Sequence, residues 1–297
     1  MKILVLGASG MLGHKLLQKL GSKYDVSGTV RGNEKAYQNH PILSNIQLIG
    51  NVEAKQFGSV IDASKMINPD VIINCIGIVK QLPAAQDPIQ SITINALFPH
   101  QLANFCINND IRLIHMSTDC VFSGSKGNYT ENEPSDAEDL YGRTKFLGEV
   151  DYPGCLTLRT SIIGRELRTS HGLLEWFLDQ SGNTVKGYKK AIFSGLTTNA
   201  LAEIISIIIS DFPEIHGVWH VASEPISKYD LLALINGKLE LDVTMLPDET
   251  VISDRSLMGE KFRQYTNINI PSWSKMIEQI HDDPTPYHLM RKNHADR

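Results

Sequence analysis

The sequence predicts an α/β chain: a doubly wound parallel sheet in the first half, followed by a smaller C-terminal α/β lobe. Three observations carry this. Short apolar runs alternate with helical patterns from the first residues onward, and that alternation calls for crossover connections between parallel strands. Several runs, such as Lys2–Leu6 and Val71–Cys75, are apolar at successive positions, which suits strands covered on both faces. The chain has 297 residues, 42% of them hydrophobic and 21% charged, so it can bury a full core and reach two domains, or one domain with an appended lobe.

Strands are expected at Lys2–Leu6, Asp25–Thr29, Ile46–Ile49, Val71–Cys75, Arg112–Ser117 and Cys155–Arg159. Helices are expected between them at Met11–Leu20, Val60–Ile67, Ser91–Asn108 and Leu140–Val150. Asp87-Pro88 supplies a start signal just before the third helix, and Asn68-Pro69 closes the second because proline disfavours a helical residue before it. After about residue 160 the rhythm loosens. Helical patterns follow at Leu173–Gln180, Thr198–Asp211, Ser227–Asn236 and Ser272–His281, with short strands near Val218–Val221 and Val243–Leu246. There is no internal repeat and no low-complexity linker.

The formal charge is 28 minus 33, or −5, and the isoelectric point lies near 6.1. That leaves no net basic footprint for nucleic acid or an anionic membrane, so neither partner is expected. Cys75, Cys106, Cys120 and Cys155 lie far apart and form no C-x-x-C pair, which suggests neither a disulfide framework nor a zinc site; no metal is expected. No stretch reaches the roughly 18 uninterrupted apolar residues of a spanning helix, and the run Ile3–Leu6 is too short for the apolar part of a signal peptide. A cytoplasmic location is the expectation.

The strongest local signal is Gly7-Ala-Ser9-Gly10-Met11-Leu12-Gly13, placed between the first strand and the first helix. Glycines allow the tight turn and let backbone N–H groups approach a pyrophosphate at a helix N-terminus, where the dipole favours anions. The alternative is an ordinary strand-to-helix turn; the flanking strand and amphipathic helix favour a Rossmann-type dinucleotide site. About 20 residues beyond the loop an acid would bind the ribose 2′-hydroxyl of NAD, whereas arginine suits a 2′-phosphate. Here the second strand ends Gly28-Thr29-Val30-Arg31, with no acid at its tip. Arg31 favours NADPH, with NADH as the alternative; otherwise it is a solvated loop arginine.

Tyr141-Gly142-Arg143-Thr144-Lys145 sets a tyrosine and a lysine four apart at the start of a helical pattern, so both reach one face. A phenol with its ordinary pKa of about 10 is a reluctant donor and acceptor at neutral pH, and a nearby ammonium stabilises the phenolate. Alone this spacing is usually a solvated helix face. It gains weight from Ser117-Thr118 at the end of the preceding strand, because open α/β sheets bind ligands at strand ends.

With these residues together, the sequence resembles the extended short-chain dehydrogenase/reductases, and within them the dTDP-4-dehydrorhamnose reductase group. The likeness runs over most of the chain. It takes in the glycine loop, Asn74-Cys75-Ile76-Gly77, Thr93-Ile94-Asn95, Ser117-Thr118-Asp119-Cys120-Val121-Phe122 and Gly127-x-Tyr129-x-Glu131. It continues through Tyr141-Gly142-x-x-Lys145-x-x-Gly148-Glu149, Leu158-Arg159-Thr160-Ser161 and Gly217-Val218-Trp219-His220-Val221, with Arg255-Ser256-Leu257 a weaker echo of a late family motif.

The resemblance implies residues 1–160 as the NADP-binding domain and 161–297 as a mainly substrate-binding lobe interleaved with the sheet. It implies Tyr141 as proton donor to a keto oxygen, Thr118 as the group polarising that oxygen, and Lys145 as the residue binding the nicotinamide ribose and tuning Tyr141. Gly7, Ser9, Gly10, Met11, Leu12, Gly13, Asn51, Val52, Cys75, Ile76, Gly77 and Asn95 would join Arg31, Tyr141 and Lys145 around the cofactor. Lys80, Thr118, Asp119, Cys120 and Arg255 would meet substrate. The reaction implied is hydride transfer from NADPH to C4 of a nucleotide-activated 4-keto-6-deoxy sugar in polysaccharide precursor synthesis. That sugar is dTDP-4-dehydrorhamnose or a UDP-linked 2-acetamido-2,6-dideoxy-4-ketohexose. The alternatives are a nucleotide-sugar epimerase with bound NAD+ and a non-catalytic NADP-binding regulatory subunit similar to that of methionine adenosyltransferase. A homodimer is implied because relatives of the family often dimerise.

Three departures touch the sugar pocket: Cys120 where the family commonly has tyrosine, Ile162 where it has tryptophan, and the stretch Gly77-Ile78-Val79-Lys80-Gln81. Thr118-Asp119-Cys120 also lacks the glutamate base of the related dehydratases, so 4,6-dehydration is not expected. Cys120 itself reads first as a small buried inert thiol. Gln81, His171 and Lys186 are further candidates for sugar or diphosphate contacts, though such residues are usually solvated. His115 reads as an interior histidine, and Leu173, Trp176 and Phe177 as core or pocket wall.

Overall fold

The computed structural model describes residues 1–287 and Met290. Strands β1 (Lys2–Leu6), β2 (Asp25–Thr29), β3 (Gln47–Ile49), β4 (Val71–Asn74), β5 (Arg112–Thr118) and β6 (Cys155–Thr160) lie in the order β6-β5-β4-β1-β2-β3. Every pairing among them is parallel. The direction of winding reverses between β1 and β4, and at such a switch point the loops leaving the two strands diverge and open a crevice at their C-terminal ends.

Both faces of this sheet are covered, which is why β1 and β4 are apolar without alternation. Ile3 and Val5 of β1 enter one core with Leu16, Leu17, Leu20, Ile204, Ile205 and Ile208. Leu4 and Leu6 enter the opposite core with Val60, Leu102 and Cys106. Each fully buried leucine or isoleucine contributes about 1.5–3 kcal/mol relative to exposure, so both helical layers are held by one five-residue strand.

The second half supplies β7 (Ile162–Ile163), β8 (Thr184–Phe193), β9 (Leu196–Thr197), β10 (Gly217–His220), β11 (Ile226–Ser227) and β12 (Thr244–Asp254). β10 returns to pair parallel with β6 as the seventh strand of the large sheet. β8 lies between β11 and β12 in a separate three-stranded sheet, parallel to β12 and antiparallel to β11.

Several elements differ from expectation, each for a local reason. β12 runs eleven residues, through Pro247 and a register shift between Asp248 and Ile252, rather than stopping at Leu246. β8 and the helix Glu260–Thr266 were not anticipated. In β8, lysines 186, 189 and 190 and Gly187 dilute the alternation of one buried face; Gly187 is there because a Cβ would meet the Tyr229 ring and the Met245 methyl. The third helix starts at Pro88, where Asp87 Oδ1 accepts from Gln90 N at 3.2 Å, and its middle is π-helical over Ile92–Leu97. The helix Leu140–Leu147 ends at Gly148, not Val150, because any Cβ at 148 would strike the Asn95 carbonyl. All four cysteines are free. Among the described residues no helix is long and apolar enough to cross a membrane, and no group of His, Cys, Asp or Glu is arranged to hold a metal ion.

Candidate active site

At the end of β1 the chain turns at Gly7, whose φ of +81° lies in the left-handed region that glycine tolerates without strain. Gly13 then packs so tightly that a Cβ would run into the Gly7 carbonyl. Ala8 N donates to Thr29 O at 2.8 Å and Gly10 N to Gly7 O at 3.0 Å. The backbone N–H groups of Ser9, Met11 and Leu12 have no partner among the described residues, and no side chain caps the helix Gly13–Leu20. Unsatisfied amides at a helix start, lined by glycine, fit a diphosphate. The residues present therefore suit a dinucleotide.

The rest of the proposed cofactor set lies around the same crevice. Asn51 N donates to Gly32 O at 2.9 Å and Val52 N to Val30 O at 3.2 Å, which sets both beside the exposed Arg31. Across the switch point, a Cβ on Gly7 would approach Cys75 C and Ile76 Cγ1 at 3.3 Å. Ile76 N donates to Asn74 Oδ1 at 3.0 Å. Ile78 N donates to Asn95 Oδ1 at 2.8 Å, and Asn95 Nδ2 returns a bond to Ile78 O at 3.1 Å. Asn95 thus ties the loop after β4 to the π-helical turn, a helix irregularity often found at functional sites.

The reactive groups meet at the end of β5. Asp139 starts the helix Leu140–Leu147, its Oδ1 accepting from Gly142 N at 2.8 Å. Tyr141 and Lys145, four apart on that helix, both reach back toward β5. The Lys145 ammonium donates to Met116 O at 2.7 Å. Burial pushes its pKa down to about 8, while Glu149 and then Cys75 favour its charge. Thr118 Oγ1 donates to Asp119 Oδ1 at 3.1 Å and accepts from Cys120 N at 3.1 Å, and it is the neighbour that opposes the rise of the Tyr141 pKa.

The phenol differs from expectation in what governs it. Burial raises the Tyr141 pKa, Cys120 adds to that rise, and the Thr118 hydrogen bond opposes it. Control by the Lys145 cation is not the leading effect, because that ammonium is turned onto the Met116 carbonyl. The phenol is held neutral, which is the state a proton donor needs. The Cys120 thiol is pushed up to about 12 by burial and by Asp119, so it too is neutral. Asp119 is buried, and burial raises its pKa against hydrogen bonds from Cys120, Thr118 and Ser161 and the charge of Arg255.

Arg255 reaches this cluster from the strand end after β12, its Nε donating to Phe122 O at 2.9 Å and its Nη1 to Ser253 Oγ at 3.0 Å. Lys80 pairs with Asp139 at 2.6 Å, both about half exposed, at the start of the helix that carries Tyr141. Lys186 is taken up elsewhere, by Asp248 at 3.1 Å between β8 and β12. His115 is interior; Asn74 Nδ2 donates to its Nδ1 at 3.0 Å, and its Nε2 has no partner among the described residues.

Sequence reasoning gave no role to the layer beneath. Arg159 of β6 grips Glu149 with both arms, Nε to Oε1 and Nη2 to Oε2, each at 2.7 Å, and Ser117 Oγ donates to the same Oε1 at 2.7 Å. Arg159 Nη1 donates to His220 Nε2 at 3.3 Å, and burial lowers the His220 pKa to about 3. The signal was legible: an arginine inside the apolar strand Cys-Leu-Thr-Leu-Arg-Thr requires a buried acid.

The family described as RmlD substrate binding domain matches the chain over residues 1–283. A dTDP-4-dehydrorhamnose reductase of Mycolicibacterium smegmatis is 25% identical over 226 residues, covering 69% of this chain and 60% of that relative. The chain thus matches less than two thirds of that relative's length. Among solved structures, a hypothetical dTDP-4-dehydrorhamnose reductase from Sulfolobus tokodaii is similar with a TM-score of 0.76 and 26% identity, covering 91% of this chain and 96% of the other. A dTDP-4-dehydrorhamnose reductase from Bacillus anthracis in complex with NADP has a TM-score of 0.77 at 19% identity, covering 96% and 99%, a likeness of fold.

Proposed function

The chain belongs to the RmlD substrate binding domain family, and from that premise we propose that it reduces the C4 keto group of a nucleotide-activated 4-keto-6-deoxy sugar with NADPH. The observation that carries the reading is the meeting of Thr118, Tyr141 and Lys145 at the end of β5, beside the glycine cradle. A reduced nicotinamide, when bound, would supply hydride to C4. The keto oxygen then gains negative charge and needs a proton at once. Tyr141, kept neutral by burial, is the donor, and Thr118 polarises the keto oxygen beside it. Lys145, held beside the phenol by the Met116 carbonyl, would bind the nicotinamide ribose. Arg255 and Lys80 at the rim would face the nucleotide diphosphate, and Asp119 and Cys120 the sugar.

NADPH is favoured over NADH by Arg31 at the tip of β2, where no acid stands to bind a 2′-hydroxyl. The NADP complex of the Bacillus anthracis neighbour supports the same choice. The sugar is dTDP-4-dehydrorhamnose or a UDP-linked 2-acetamido-2,6-dideoxy-4-ketohexose. The test is oxidation of NADPH and of NADH against freshly generated dTDP- and UDP-4-keto-6-deoxy sugars, with product stereochemistry read by NMR. Turnover with at least one sugar and a preference for NADPH is expected; no oxidation with any of them would end the proposal.

The Lys145 pKa gives a second expectation. A charged Lys145 is the stronger donor to the cofactor's ribose, and its pKa of about 8 puts the loss of that charge within reach of assay. The plot of kcat/KM against pH should be level below about 8 and fall tenfold per unit above it. A profile that stays flat through that range would remove Lys145 from this role.

A further inference from the structure

We propose that the C-terminal segment Asp283–Tyr287 is a working part of the dinucleotide cradle, with Tyr287 and His14 positioning the peptide between Gly10 and Met11 toward the diphosphate. This rests on the reading above that the glycine loop holds a dinucleotide. His14 is the second residue of the first helix, one past the loop, and is fully buried. Its Nδ1 lies 2.8 Å from Gly10 O, and its Nε2 lies 2.9 Å from the Tyr287 hydroxyl.

Chemistry fixes the direction of both bonds. A carbonyl oxygen only accepts, so Nδ1 carries the proton; the neutral ring then accepts at Nε2, and the Tyr287 phenol donates. Burial lowers the His14 pKa to about 4, which keeps the ring neutral, and burial raises that of Tyr287, which keeps the phenol protonated. The relay therefore runs from Tyr287 O–H to His14, and from His14 N–H to the Gly10 carbonyl.

That carbonyl shares a peptide plane with the N–H of Met11, which has no partner among the described residues. A hydrogen bond to the oxygen polarises the amide and strengthens the N–H as a donor. It also adds to the bond that His14 N makes to the same oxygen at 3.2 Å in holding the plane where a glycine would leave it loose. Two anchors hold the segment on the first helix and a third, Arg165, comes from the chain after β7. Lys15 pairs with Asp283 at 2.5 Å, Gln18 Nε2 donates to Thr285 Oγ1 at 3.0 Å, and the Arg165 guanidinium lies 4.5 Å from the centre of the Tyr287 ring. A second lobe element is thereby wired to a phosphate-facing amide of the first.

Tyr287→Phe tests this, because it deletes one oxygen and leaves the ring against Arg165. NADPH and adenosine 2′-monophosphate, which lacks the diphosphate, are titrated against wild type and variant, and both proteins are melted. The Kd for NADPH should rise about 3- to 10-fold, the loss of one hydrogen bond's worth of aim and polarity, with the Kd for adenosine 2′-monophosphate unchanged. An unchanged NADPH Kd beside a lowered Tm would show Tyr287 to be structural only and overturn the proposal. Equal weakening of both ligands would do the same, since it would mean a general loosening. Wild-type protein that binds no NADPH would instead overturn the cradle reading itself, and this inference with it.

Discussion

Tyr141→Phe is expected to lower kcat for reduction of a 4-keto nucleotide sugar by about 10²–10⁴-fold, the usual contribution of a positioned general acid. The variant removes the only atom of Tyr141 that can give up a proton and keeps the ring that fills the space. NADPH affinity should stay within about 2-fold of wild type, because an interaction used only in the transition state changes turnover and not ground-state binding. The size of the loss follows from the neighbours. Cys120 is held protonated at about 12 by burial and by Asp119. Asp119 is committed to Thr118 and Ser161. Neither is an unencumbered donor. Single-turnover NADPH oxidation measures the effect directly, and a variant that turns over at the wild-type rate would take Tyr141 out of the chemistry.

How much of this was legible in the sequence depends on the range of the interaction. β1 begins and ends where its apolar run does, because both its faces are covered and local hydrophobicity reports that burial. The glycine loop was equally plain, since the turn at Gly7 and the packing of Gly13 are settled within seven residues. β8 was hidden because its lysines lie on the solvent side and its packing glycine answers to Tyr229, 42 positions later, counting from Gly187. The orientation of Lys145 was equally hidden: spacing places Lys145 and Tyr141 on one face, but the Met116 carbonyl that takes the ammonium comes from another strand. The bond between His14 and Tyr287 spans 273 residues, and nothing local to either residue announces it.

The buried pair beneath the site gives the largest stability effect. Arg159→Leu is expected to destabilise the fold by about 3–5 kcal/mol, because it strands the Glu149 carboxylate in a dry interior. In this structure the two side chains are only 4% and 5% exposed, so water cannot replace the lost guanidinium. Ser117 would remain as a donor to Glu149, and one hydroxyl does not balance a full charge. Adding Glu149→Leu to Arg159→Leu should restore much of the loss, since a buried ion pair exchanged for apolar residues of similar volume is often close to neutral. Urea denaturation of the two single variants and the double variant measures the coupling as a double-mutant cycle. Equal losses in Arg159→Leu and the double variant would assign the effect to the guanidinium over the Phe122 ring, 5.3 Å from its centre, and not to the pair with Glu149. If the coupling is found, activity should report it as well. Ser117 lies between Met116, which holds Lys145, and Thr118, so a β5 end freed from Glu149 would misplace both Lys145 and Thr118 at once.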